Sequence, residues 1–185
     1  MTTIFNSTSI LNGHSWTIVT IFGHILLDAQ EKYGERDKSY TILGIEIDDL
    51  DYPQIWYPGN RKDIVIQITK DCINCMNQAV YQVAHETIHC IFATQGQPAT
   101  VLEEGLATHF ALEYCKNNGY GNWEIENKKY ETAMSLVEQI LRIDPEIILK
   151  IRDIQPTISL ATKQDIIEIN SNISDELAER LTQIF

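Results

Sequence analysis

From residue 14 to residue 33 the apolar positions Trp16, Ile18, Ile21, Phe22, Ile25 and Leu26 recur at steps of three and four, which predicts a helix. The polar stretch GERDKS ends it. YTILGIEI, rich in β-branched residues, predicts a strand and is closed by the acidic break DDLDYPQ. In IWYPGNRKDIVIQIT two short strands are expected around a turn at Pro58, Gly59 and Asn60, with Ile64, Ile66 and Ile68 alternating with Val65 and Gln67. From about Met76 the period becomes helical, through Val80, Val83, Ala84, Ile88 and Phe92, until TQGQPAT breaks it. VLEEGLATHFALEYCK starts another helix and NNGYGN ends it. Residues 124–142 form a third, with Ala133, Leu136, Val137, Ile140 and Leu141 along one side. Beyond Asp144 short helices are expected, the last at about 174–184 with Ser174 as its N-cap.

Helix, small sheet, then helices is the order of an α+β domain, here a small mixed β-sheet packed on a helical core with C-terminal helices. No repeat, low-complexity tract or linker divides the chain. One domain over 1–185 is therefore expected, with the sheet and central helices at about 38–142 and a C-terminal helical segment at about 145–185.

Composition narrows the function classes. Hydrophobic residues make up 44% and charged residues 22%, which argues against disorder. With 26 acidic against 14 basic residues the net charge is -12, a surface that repels phosphate backbones and suits a basic peptide better. No basic patch offsets this, so no nucleic-acid partner is expected. The run WTIVTIFGHILL is too short to span a bilayer, contains His24 and lacks the flanks of a signal peptide, so no membrane association and a cytoplasmic location are expected. The four cysteines Cys72, Cys75, Cys90 and Cys115 suggest no disulfide framework. Cys72 and Cys75 form a CxxC with no second pair to complete a four-thiolate site, which reads as reduced cysteines at a helix start.

The candidate chemistry lies in YQVAHETIHCIF. Residues i and i+4 of a helix lie nearly above one another, so His85 and His89 can share one ion. Glu86, offset by one residue, stands beside that ion, where it can take a proton from a water that zinc has acidified. At this composition a chance HExxH arises in roughly one chain in a hundred. Two neutral histidines on a buried helix face without a metal would be poorly satisfied. A third protein ligand is needed, and the candidates lie in VLEEGLATHF, where Glu104 opens the next helix. Glu103 and His109 are its rivals, although His109 is rotated from the Glu104 face by more than about 100°.

HETIH followed by LEEGLATHF resembles the gluzincin zinc metallopeptidases, the clan of thermolysin and aminopeptidase N. The resemblance covers about residues 55–140 and is concentrated in 85–108. It implies that the glutamate before Gly105, Glu104, binds Zn²⁺ with His85 and His89, and that Gly105 lets the helix approach a neighbour closely. Thr108 stands where thermolysin-like members carry an acid that orients a zinc histidine, a task threonine performs only weakly. KYETAMSLVEQIL resembles a segment whose tyrosine donates to the developing oxyanion, which points to Tyr130. Thr132-Ala133 replaces the family's Lys-Gly there and the separation from Glu104 is shorter, so Tyr114 and Tyr120 stay open as alternatives. RKDIVIQIT occupies the place of the family's peptide-pairing edge strand. The amine-capturing Gly-Ala-Met-Glu-Asn segment of the aminopeptidases is absent, which favours an endopeptidase acting on a peptide or protein.

The resemblance thus implies a zinc endopeptidase in which Glu86 serves as general base. The competing reading is a non-catalytic or latent binding or regulatory module on the same fold, with a regulatory protein partner. The residues after Asp144 either cover the zinc or complete the core.

Overall fold

The computed structural model describes residues 3–185. A two-stranded hairpin, β1 (Ser9–Ile10) and β2 (Gly13–His14), precedes helix α1 (Ile18–Tyr33). The helix begins later than its apolar period suggests because Thr17 caps it. The Thr17 side chain accepts from the Thr20 backbone N–H, and the Thr20 hydroxyl accepts from the Thr17 N–H in return. Ile18, Ile21, Ile25, Ala29 and Tyr33 form its buried face, while Trp16 is left outside at 58% exposure.

Three strands follow: β3 (Thr41–Asp48), β4 (Gln54–Trp56) and β5 (Asp63–Thr69), in the sheet order β3-β5-β4. β3 runs parallel to β5, and β4 is antiparallel to it with Ile55 opposite Ile66. This corrects one expectation. The segment RKDIVIQIT forms the central strand, and the sheet edge beside the helices is the short β4. The reason is visible in β5 itself: Ile64, Ile66 and Ile68 on one face are enclosed, and so are Val65 and Gln67 on the other. Such a strand buries both faces only in mid-sheet. Gln67 is satisfied there by neighbours on both sides, donating to Glu46 Oε1 and Asp48 Oδ2 and accepting from Gln54 Nε2.

Helix α2 (Met76–Ile91) is buried along most of its length. It packs between α1 and α3 (Val101–Asn117), and α3 in turn packs on α4 (Lys128–Ile143). α4 starts at Lys128, four residues later than its apolar pattern implies, because Asn127 caps it through the Lys129 N–H. Gly105 accounts for the close α3–α4 contact, since a Cβ there would lie 2.4 Å from the Ala133 carbonyl oxygen. All four cysteines are free, and Cys75 stands at the start of α2. The order of elements is that of a mixed α+β fold. Among the described residues no helix is long and apolar enough to cross a membrane.

The C-terminal segment completes the core. Helices α5 (Ile147–Ile154), α6 (Lys163–Ile169) and α7 (Asp175–Leu181) bury Ile147, Ile148, Ile151, Ile166, Leu177 and Leu181. Ser174 caps α7 as its sequence position suggested, accepting from the Leu177 N–H. The last residues then return to the chain just before α3. The Val101 N–H donates to the Gln183 carbonyl, the Phe185 N–H donates to the Ala99 carbonyl, and Thr100 bridges Ile184.

Candidate metal centre

α2 presents His85 and His89 one turn apart, and the first turn of α3 brings Glu104 against both. The two Nε2 atoms are 3.4 Å apart. Glu104 Oε2 lies 3.3 Å from His85 Nε2, and Glu104 Oε1 lies 3.5 Å from His89 Nε2. A tetrahedral ion with bonds of about 2.05 Å separates its ligand atoms by about 3.35 Å. The separation of the two imidazole nitrogens agrees with that figure, and a Glu104 oxygen stands at a comparable distance from each of them. Among the described residues these are the one group of metal-ligating side chains whose donor atoms converge, all within 4.8 Å of one another.

A second observation fits the same donor set. Glu104 Oε2 is shielded from solvent and makes no hydrogen bond of acceptable geometry. A buried carboxylate oxygen without a partner is costly, and a cation between it and the imidazoles removes the cost. The group could therefore hold a metal ion.

Glu103 has a different part from the one its neighbour plays. It is 2% exposed, and its Oε1 lies 2.7 Å from His89 Nδ1. A carboxylate only accepts, so Nδ1 carries a hydrogen, which would leave the Nε2 lone pair for an ion held between His89, His85 and Glu104. The other Glu103 oxygen accepts from the Ser159 hydroxyl, and Ser159 Oγ accepts in turn from the Thr100 N–H at 3.1 Å. The C-terminal segment thereby braces the orientation of His89. Thr108 takes no share in this, because its hydroxyl donates to the Glu104 backbone carbonyl at 2.9 Å. His109 points elsewhere, with Nε2 3.9 Å from Glu113. Removing the brace with Ser159→Ala is expected to weaken zinc binding about tenfold, read by competition with a chelating dye. An affinity unchanged within about twofold would show that Glu103 holds His89 unaided.

Electrostatics bind the cluster together. Burial alone would lower the His89 imidazole, but Glu104 and then Glu103 outweigh it and push its pKa up to about 10. Burial works to raise the Glu104 carboxyl, yet His89 and His85 prevail and hold it below its usual range. In the metal-free protein the cluster therefore keeps a proton on His89. The ordinary histidine value is about 6.5. Because the folded value is the higher one, this stabilisation is complete below about pH 6.5 and is lost as pH rises through about 10. Thermal melting of the chelated protein should fall over that window, and zinc should remove the dependence by replacing the proton. A flat melting profile without metal would contradict this.

Glu86 and Tyr130 complete the site. Glu86 is 2% exposed, and burial pushes its carboxyl up, with His89 and His85 offsetting only part of the effect. Tyr130 on α4 sets its ring 5.9 Å from that of His85. Burial, with Glu104 and Glu86 nearby, pushes the Tyr130 hydroxyl up to about 12, so it remains a donor at neutral pH. Both residues line a cavity of about 230 Å³ that reaches the three ligand residues. Tyr114 and Tyr120 lie elsewhere, their rings parallel and 6.4 Å apart beside a separate cavity that includes Trp16 and Asp28.

Sequence reasoning did not find the outer wall of this cavity, formed by Tyr52, Pro53, Gln54, Ile55 and Tyr57 around β4. β4 pairs with β5 along one edge, and its position at the end of the sheet leaves the other edge without a strand. A short apolar strand after an acidic break was the available signal, but the order of strands in the sheet has no local signature. No protein-family model, curated protein or solved structure matches the chain.

Proposed function

We propose that the protein is a zinc-dependent peptidase, and within that class an endopeptidase. The observation that carries this reading is a buried carboxyl, Glu86, lining the same cavity as a three-residue donor set whose atoms converge. Three protein ligands leave one of four positions open, as catalytic zinc sites do and closed structural sites do not. Bound there, zinc would supply Lewis-acid polarisation of the scissile carbonyl and acidify water at the open position.

The chain's own residues supply the rest. An extended peptide adds to the free edge of β4, and backbone pairing holds its carbonyl over the cavity. Glu86 takes the proton from the attacking water and delivers it to the leaving amine nitrogen as the C–N bond breaks. The Tyr130 hydroxyl donates to the carbonyl oxygen as negative charge gathers on it. His85, His89 and Glu104 would hold the metal, and Glu103 positions His89.

Incubating the zinc-loaded protein with a mixture of blocked peptides and following new amine ends by mass spectrometry tests this reading. Internal cleavage that stops on chelation and returns with added zinc is expected. Stoichiometric zinc with no cleavage of any peptide would favour the alternative, a non-catalytic binding or regulatory module.

A further inference from the structure

The cavity at the metal ligands opens onto a second one of about 250 Å³, and the two share Tyr52, Pro53, His85, Glu86 and Tyr130. The second cavity has walls of its own in Tyr81, Gln82 and Ile125. Tyr81 is held from behind by Trp123, whose ring centroid is 5.3 Å away. The Gln82 amide is engaged with Thr69, its Oε1 accepting from the Thr69 N–H and its Nε2 donating to the Thr69 hydroxyl, both at 2.9 Å. The flanks are mostly aromatic and aliphatic, with Gln82 and Asn127 as their uncharged polar members. Charge enters only at Glu124 and Glu126, exposed on the loop before α4, in addition to Glu86 at the junction with the metal centre.

Among the described residues no lysine or arginine lines this second cavity. Lys129 lies on the metal side, where its Nζ stands 4.0 Å over the Phe185 ring and its charge is felt by Glu104. A largely apolar cavity with two carboxylates on its loop wall suits one kind of side chain, a long apolar stem ending in a cation. Leucine or phenylalanine would fill the flanks but bring the two carboxylates no charge to pair with. Aspartate or glutamate would be repelled by them and by a chain whose net charge is -12.

We propose that this second cavity is a side-chain recognition pocket, and that it selects polypeptides presenting lysine or arginine next to the bond that is cut. The stem lies along Tyr81, Ile125 and Tyr130, and the ammonium or guanidinium group meets Glu124 and Glu126. This rests on the peptidase reading for its position along the substrate, but the binding preference does not require catalysis.

The test uses metal-free protein and labelled, blocked hexapeptides that differ at one central position, with binding read by fluorescence anisotropy. Lysine and arginine peptides should bind about tenfold more tightly than leucine or aspartate peptides at low salt. The double variant Glu124→Gln, Glu126→Gln should remove that preference and leave the leucine peptide unaffected. Leucine binding as tightly as lysine, a preference that survives the double substitution, or no binding by any peptide would each overturn the proposal. Cleavage by the zinc-loaded protein separates the two ideas. Cutting without regard to basic residues sinks the pocket assignment and spares the peptidase, whereas selective binding of basic peptides that are never cut does the reverse.

Discussion

Glu86→Gln is expected to lower kcat/KM for peptide cleavage by at least about a thousandfold while changing zinc affinity by no more than about threefold. The argument is positional. Glu86 follows His85 directly on α2, so it is rotated about 100° from the ligand line and lines the cavity beside it. The amide fills the same space but cannot take a proton from water at neutral pH. Zinc should still be held, because none of His85, His89 and Glu104, the residues that could hold it, is altered. A variant that turns over peptides at the wild-type rate would remove Glu86 from the reaction. One that loses zinc together with activity would mean that Glu86 supports the ligands instead.

The largest structural effect is expected from Gly105→Ala. Helix propensity alone says that alanine should stabilise an interior helical position by about 1 kcal/mol over glycine. Here an added Cβ would lie 2.4 Å from the Ala133 oxygen, 2.6 Å from the Ala133 carbonyl carbon and 2.7 Å from Val137 Cγ2. Two of those atoms are backbone, so the clash is relieved only by moving α3 away from α4. Overpacking of this kind costs about 1–3 kcal/mol and more where backbone must yield, which outweighs the propensity gain. For a chain of this size a net loss of about 2 kcal/mol corresponds to a fall in Tm of roughly 4–8 °C. Since α3 carries Glu104 and α4 carries Tyr130, peptide cleavage should fall as well even where the variant remains folded. A Tm equal to or above that of the wild type would contradict the packing argument.

The parts of the site legible in the sequence are those that one helical turn determines. The i, i+4 spacing of His85 and His89 places both imidazoles on one face, and α2 realises that geometry. Glu104 was reached through a resemblance to a peptidase clan, and the side chain does converge on the histidines. What escaped depends on distance along the chain. Ser159 is 56 residues from Glu103, so no local pattern connects them, and Glu103 read only as a rival ligand although its carboxylate braces His89. Thr108 held the family's position for that brace, yet its hydroxyl is spent on its own helix. The strands were found but their order was misjudged, because short apolar runs do not state which of them is central. The β1–β2 hairpin, two residues per strand, gave no period to read. The later starts of α1 and α4 were decided by capping at Thr17 and Asn127, a local signal that the apolar pattern outran.

Of the two roles open to the residues after Asp144, the structure supports completion of the core. Ile147, Ile148, Ile151, Ile158, Ile166, Ile173, Leu177 and Leu181 are enclosed, and Ser159 reaches the candidate ligand His89 only through Glu103. Truncation before Ile147 would therefore remove core residues and the brace together.

The most direct measurement is anomalous diffraction at the zinc absorption edge from crystals grown with the metal. A single peak is expected within about 2.0–2.2 Å of His85 Nε2, His89 Nε2 and a Glu104 carboxylate oxygen, with a water at the remaining position. Zinc bound elsewhere, a fourth protein ligand closing the site, or these three side chains diverging around no ion would contradict it.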